Sequence, residues 1–185
     1  MKIKKLEETN NLLKLKITDI DIALANALRR IMIADTKCYA VDTVDFYKND
    51  CFMSMEEIAH RLGLLPLKRE LDIKEDSSIF LDFTATEPLT NIFAKDLVYT
   101  NIEPVYPDMP ITVLKKGQTL KFKANVTYNS KNGGGHAKWS PATVVFYSYE
   151  NNEFLFTIET TGSVTPENLF TQALTILEER LQNCQ

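Results

Sequence analysis

Cysteine is scarce in this chain and forms no pattern. Cys38, Cys51 and Cys184 are the three in 185 residues, and no Cys-x-x-Cys pair exists. That spacing supports neither a zinc site nor a disulfide framework, and it suits a reducing compartment. Long apolar runs are missing as well: nothing approaches the ~18 consecutive apolar residues of a membrane span. The start, MKIKKLEETNNLL, lacks the apolar stretch of a secretory leader. There is no basic excess either, since 21 Lys and Arg against 25 Asp and Glu leave a net charge of −4. Proteins that grip DNA through its phosphates usually carry surplus cations, so direct nucleic-acid binding is disfavoured. Internal repeats and low-complexity tracts are absent too. A soluble, unsecreted chain is expected.

What the chain does have is an ordinary globular composition, 44% hydrophobic and 25% charged, in a length that can bury one core or two small ones. The stretch Leu24 to Asp35 reads as an amphipathic helix with Leu24, Leu28 and Ile31 on one stripe and Asp21 as N-cap. Arg29 and Arg30 fall in its last half, where the helix dipole favours cations, and Asn26 is placed on the same side as Arg30. A second helix is signalled by the capping-box pair Ser54 and Glu57; it places Ile58 and Leu62 one turn apart and stops at Gly63 with Pro66 beyond.

Strands are read from alternation. Two short ones fill residues 1–18 around a bend at Thr9, Asn10 and Asn11, with Leu13, Leu15 and Ile17 on one face. Cys38 to Tyr47 is a strand expected to place Val41, Thr43 and Asp45 together. From about residue 49 the character changes. Lys68 to Ser78 reads as a charged loop, and Ile79 to Ala85 alternates. Four prolines keep Glu87 to Pro110 irregular, and Leu120 to Val126 alternates again. Further strands are expected at Thr143 to Tyr149 and around Phe154, Phe156 and Ile158. The chain closes on a helix with Thr165 as N-cap, Pro166 at the first position and a wide apolar face: Leu169, Phe170, Ala173, Leu174, Ile176, Leu177 and Leu181.

No constellation calls for catalysis. Asp19 with Asp21, Asp42 with Asp45, and Glu56 with Glu57 flank or start elements, and none makes a metal or acid–base site. His60 has no ligand-spaced neighbour and reads as structural or as an interface hydrogen-bonder. Gly133 to Gly135 invite a phosphate-loop reading, but they lead into Ser140-Pro141 and a β-branched strand, without the Gly-Lys-Ser/Thr close. Trp139, the single tryptophan, is either an interface anchor or core. No catalytic residue and no metal ligand is assigned.

Three motifs occur in one order: "ANALRRIMIA" followed by a strand and "EEIAHRLGLLPL"; "GGGHAKWSPATVVFY"; and "TTGSVTPENLFTQALTILEERL". Together they resemble the alpha-like assembly subunits of multisubunit DNA-directed RNA polymerases. That family includes the N-terminal domain of the bacterial alpha subunit, its archaeal counterpart and the third-largest subunit of eukaryotic polymerase II.

The resemblance implies an α+β fold: a discontinuous two-layer dimerisation domain of sheet and helices, residues 1–48 and 151–185, interrupted by a mostly β insert subdomain, residues 49–150. It implies a non-catalytic subunit that heterodimerises with a small alpha-like subunit and then docks the second-largest subunit. The implied large-subunit interface is Asn26, Arg29, Arg30, His136, Lys138 and Trp139. The implied dimerisation residues are Leu24, Leu28, Ile31, Leu169, Phe170, Ala173, Leu174, Leu177 and Leu181. No cofactor is expected on this chain, with Mg confined to the largest subunit of the complex, and DNA is reached only indirectly through the complex, with no membrane contact.

The expected location is intracellular: nucleus, cytoplasm or virion according to source. Many archaeal and eukaryotic relatives carry a metal-binding cysteine cluster in the insert, but Leu67 to Pro88 holds no cysteine, so a compact version without that metal is expected. Two other classes stay open: a stand-alone homodimeric regulatory module, and a nucleotide-using enzyme built on the glycine loop.

Overall fold

The computed structural model describes residues 1–68, 76–128 and 136–183. In chain order the first elements are β1 (Lys2–Glu8), β2 (Leu12–Thr18), α1 (Ile22–Ala34), β3 (Tyr39–Asn49), α2 (Met55–Gly63) and β4 (Leu67–Lys68). Then come β5 (Ser77–Thr84), β6 (Leu89–Phe93), β7 (Val98–Thr100), β8 (Glu103–Pro104), β9 (Pro110–Lys115) and β10 (Thr119–Tyr128). The last are β11 (Ala142–Glu150), β12 (Glu153–Thr160) and α3 (Pro166–Gln182). The mixture of helices with antiparallel sheets is the expected α+β class.

Two compact units divide the chain. The first joins its ends, Met1–Cys38 with Asn132–Gln185; the second is the intervening Tyr39–Lys131. These limits correct the expected 48/49 and 150/151. β3 belongs wholly to the second unit because it pairs with β10, and β11 belongs to the first because it pairs with β12. Strand pairing fixes a boundary that composition does not mark.

The first unit is a sheet of order β1-β2-β12-β11, antiparallel throughout, covered on one face by α1 and α3. Alternation decides which side faces inward. Leu13, Leu15 and Ile17 of β2 and Phe154, Phe156 and Ile158 of β12 pack against Leu28, Met32, Leu169 and Ala173 of the helices. The opposite side of the strands carries charge, with Lys14 paired to Glu7 and Lys16 to Glu153, each at 2.7 Å. The β11–β12 connection is the two-residue turn Asn151-Asn152. Both have positive φ, 49° and 64°, the primed-turn geometry that suits the strand twist and that asparagine tolerates.

Both caps of this unit form as read. Asp21 Oδ1 accepts from the Leu24 amide at 2.7 Å, and Thr165 Oγ1 accepts from the Asn168 amide at 3.4 Å. The stripe of α1 is broader than Leu24, Leu28 and Ile31: Ala25 and Met32 are buried, whereas Leu24 is half-buried.

The second unit holds a sheet of order β3-β10-β5-β7 and two small ribbons, β4-β8 and β6-β9. Helix α2 packs on β3 and β9, inserting Ile58 and Leu62, both fully buried, into a core with Ile79, Leu81, Leu120, Phe122 and Ala124. Its capping box is complete: the Glu57 amide donates to Ser54 Oγ at 3.2 Å and the Ser54 amide to Glu57 Oε2 at 3.1 Å. These bonds stabilise the first turn.

One face assignment changes in β3. Thr43 sits opposite Asn125 and Val41 opposite Val126, leaving Asp42 as an extra residue. That bulge turns Val41 inward, 2% exposed, while Thr43 and Asp45 face solvent, so the three do not share a side. Prolines keep residues 87–110 to strands of five residues or fewer, as expected. Most of the charged loop read at Lys68 to Ser78, and Gly133 to Gly135, lie outside the described residues.

Candidate protein-interaction site

Helix α1 is the scaffold of the first surface. Arg29 is half-buried and held by its own helix: the Asn26 amide oxygen accepts from Arg29 Nε at 3.2 Å and from Nη2 at 3.0 Å. Residues three apart are neighbours on a helix, and Asn26, expected on the side of Arg30, bonds Arg29. Arg30 is exposed. Neither guanidinium meets a carboxylate among the described residues. The dipole reading of this pair also fails, because the last turn of α1 holds no basic residue and the effect fades within one turn. The arrangement is a partly preorganised guanidinium fork beside an exposed one, suited to bidentate pairing with carboxylates.

The second stretch, His136 to Trp139, is a short helical turn. His136 Nδ1 accepts from the Lys138 amide at 3.1 Å, and its ring stands edge-on to Trp139 at 6.2 Å. The Lys138 ammonium lies over the indole, 4.1 Å from the ring centroid. Trp139 is only 8% exposed, so in this chain it is a buried ring and not an exposed anchor. Its Nε1 has no partner among the described residues. Nearby Cys38 is buried, and burial pushes its thiol up to about 11 against a bond from Ser163 that lowers it.

The nine apolar candidates for dimerisation separate into two sets. Leu28, Ile31, Leu169, Phe170 and Ala173 are buried in the unit's own core. Leu24, Leu174 and Leu177 are half-buried, and Leu181 is 60% exposed. Ile176, already read as part of the apolar face of the last helix, is half-buried as well, and Ile22, not singled out in the sequence, is 61% exposed. Ser140, whose Oγ donates to the Ile33 carbonyl of α1 at 2.8 Å, was not singled out in the sequence, since that partner lies 107 residues away.

Elsewhere, His60 is exposed on α2, and Arg61 Nη1 donates to the Ile111 carbonyl at 3.3 Å. Among the described residues no group of three or more His, Cys, Asp or Glu is placed to hold a metal. No helix there is long and apolar enough to cross a membrane.

A two-layer unit made from the two ends of a chain, with a second unit between them, defines the class into which this protein falls. The family model described as the RNA polymerase Rpb3/Rpb11 dimerisation domain matches residues 14–181, and the chain belongs to that family. The similarity to alpha-like polymerase subunits read from the three motifs is thereby borne out.

Among curated relatives, DNA-directed RNA polymerase subunit Rpo3 of Pyrococcus horikoshii is 38% identical over 157 residues, 80% of this chain and 60% of that one. Subunit Rpo3 of Methanocaldococcus jannaschii is 32% identical over 162 residues, 88% of this chain and 83% of that one. Subunit 3 of the Arabidopsis thaliana polymerases II, IV and V is 28% identical over 183 residues, 80% of this chain and 57% of that one. The chain thus spans about three-fifths of the length of several relatives it matches.

Proposed function

We propose that this chain is a non-catalytic assembly subunit of a DNA-directed RNA polymerase. It pairs with a small alpha-like subunit and then docks the second-largest subunit through α1. The observation that carries the pairing half is the end of α3. Leu174, Ile176 and Leu177 are only half covered by the unit's own core, and Leu181 is exposed. The eight residues of helix from Leu174 to Leu181 span about 12 Å, a strip that an isolated chain would leave to water. Family membership supports the same reading, as do relatives whose names are polymerase subunits.

The docking half rests on Arg29 and Arg30, two cations on one helix without carboxylate partners among the described residues. The chain binds no cofactor and contributes no catalytic group, Mg belongs to the largest subunit, and DNA is contacted only by the assembled complex.

The test of pairing is native mass spectrometry of the tagged chain from its own source, beside Leu177→Glu/Leu181→Glu. A one-to-one complex with a smaller chain, lost in the variant, is the expected result. A complex of two identical chains would overturn the heterodimer and favour a homodimeric module.

A further inference from the structure

Helix α1 ends in a way that its own sequence does not complete. The last four carbonyls of a helix have no intrahelical donor; here they belong to Ile31, Met32, Ile33 and Ala34. Local chain serves two of them. The Ile31 carbonyl accepts from the amides of Asp35 at 2.9 Å and Thr36 at 3.2 Å, and the Met32 carbonyl accepts from Thr36 Oγ1 at 2.9 Å. The Ile33 carbonyl is met from 107 residues away, by Ser140 Oγ at 2.8 Å. A hydroxyl has one proton, and the other acceptor in reach, the Ala142 carbonyl, is farther at 3.4 Å. The Ile33 bond is therefore the better of the two.

Further ties fasten the same corner. Cys38 Sγ donates toward the Lys138 carbonyl at 3.8 Å, the Lys37 amide to Gln172 Oε1 at 3.3 Å, and Arg180 pairs with Asp35 at 3.0 Å. With no basic side chain in the last turn of α1 itself, its end is closed by these hydrogen bonds and by the Arg180–Asp35 pair at its C-cap.

We infer that Ser140 is a positioning residue. By capping α1 at Ile33 it joins the His136–Ser140 segment to the helix that carries Asn26, Arg29 and Arg30, so that two distant stretches act as one docking face for a partner presenting carboxylates. The inference rests on the docking reading above. The partner's chemistry follows from the guanidinium groups: a neutral amide steadies Arg29, Arg30 is exposed, and both keep their full charge for an incoming acid. A face held before contact loses less side-chain and backbone freedom on binding.

The experiment compares wild type, Ser140→Ala and Ser140→Thr as complexes with the small partner. Each is titrated with the second-largest subunit, and amide hydrogen exchange is followed over Asp35–Cys38. Ser140→Ala should weaken the large subunit's binding about five- to tenfold, the worth of one neutral hydrogen bond. It should also speed exchange at the helix end and keep the small partner. Ser140→Thr, which retains the hydroxyl, should restore both. Faster exchange with wild-type affinity would make the cap merely structural and overturn the inference, as would exchange that does not change. If wild type itself fails to bind the large subunit, the docking reading falls first and this inference falls with it.

Discussion

Asn26 and Arg29 stand one turn apart on α1, and a single amide oxygen receives both Nε and Nη2 of the guanidinium, at 3.2 and 3.0 Å. The fork is thus oriented by a group that does not neutralise it. Asn26→Ala should leave Arg29 charged but unheld. Affinity for the second-largest subunit should fall a few-fold, with folding stability within about 0.5 kcal/mol of wild type. Titration and urea melts on the same preparations check this, and unchanged affinity would mean that orientation of the fork does not matter.

Thr112 on β9 is 2% exposed, and its hydroxyl has no partner among the described residues. A buried, unbonded hydroxyl costs on the order of 1 kcal/mol or more. Thr112→Val keeps the shape and removes the cost, so the variant should be more stable by about 1 kcal/mol in urea. A loss of stability would show that the hydroxyl is satisfied.

Cys38 sets an alkaline limit. Burial holds its thiol at about 11 in the fold, against an ordinary value of 9.0. Between those values the unfolded chain gives up the proton and the folded chain keeps it, so stability is full below pH 9 and falls as pH rises toward 11. The loss attributable to this thiol is roughly 2 kcal/mol. Urea midpoints followed from about pH 8 to about pH 11 should decline less steeply in Cys38→Ala. Equal slopes would rule out the thiol as the cause.

Phe170 and Leu181 lie on one helix but differ in burial, 7% against 60% exposed. Phe170→Ala should destabilise the chain by about 3–5 kcal/mol through the cavity it leaves. Leu181→Lys should change stability by no more than about 0.5 kcal/mol. Urea denaturation of the two variants separates core from free surface; comparable losses would mean that Leu181 is already packed.

Local chemistry was legible in the sequence. Asp21, Ser54 and Thr165 each cap the helix assigned to them, because a cap is settled by residues within one turn. The alternation at Leu13, Leu15 and Ile17 marked the inner face of β2 because an unbroken register is enough there. What was hidden depended on distant partners. The bulge at Asp42 exists only against β10, and the boundary near residue 38 follows from which strand β3 pairs with. Pattern alone could not divide the α3 stripe, since Phe170 and Leu181 look alike until the sheet beneath the helix is known. Ser140 reads as an ordinary turn residue before a proline, and only the folded chain brings it to Ile33.

The most direct measurement is a tagged pull-down from the native source, wild type beside Arg29→Glu/Arg30→Glu, with captured proteins identified by mass and folding checked by circular dichroism. The account predicts that wild type brings two very large subunits and one small partner, while the folded variant keeps the small partner alone. A variant that still captures the large subunits, or a wild type that returns only with itself, would contradict it.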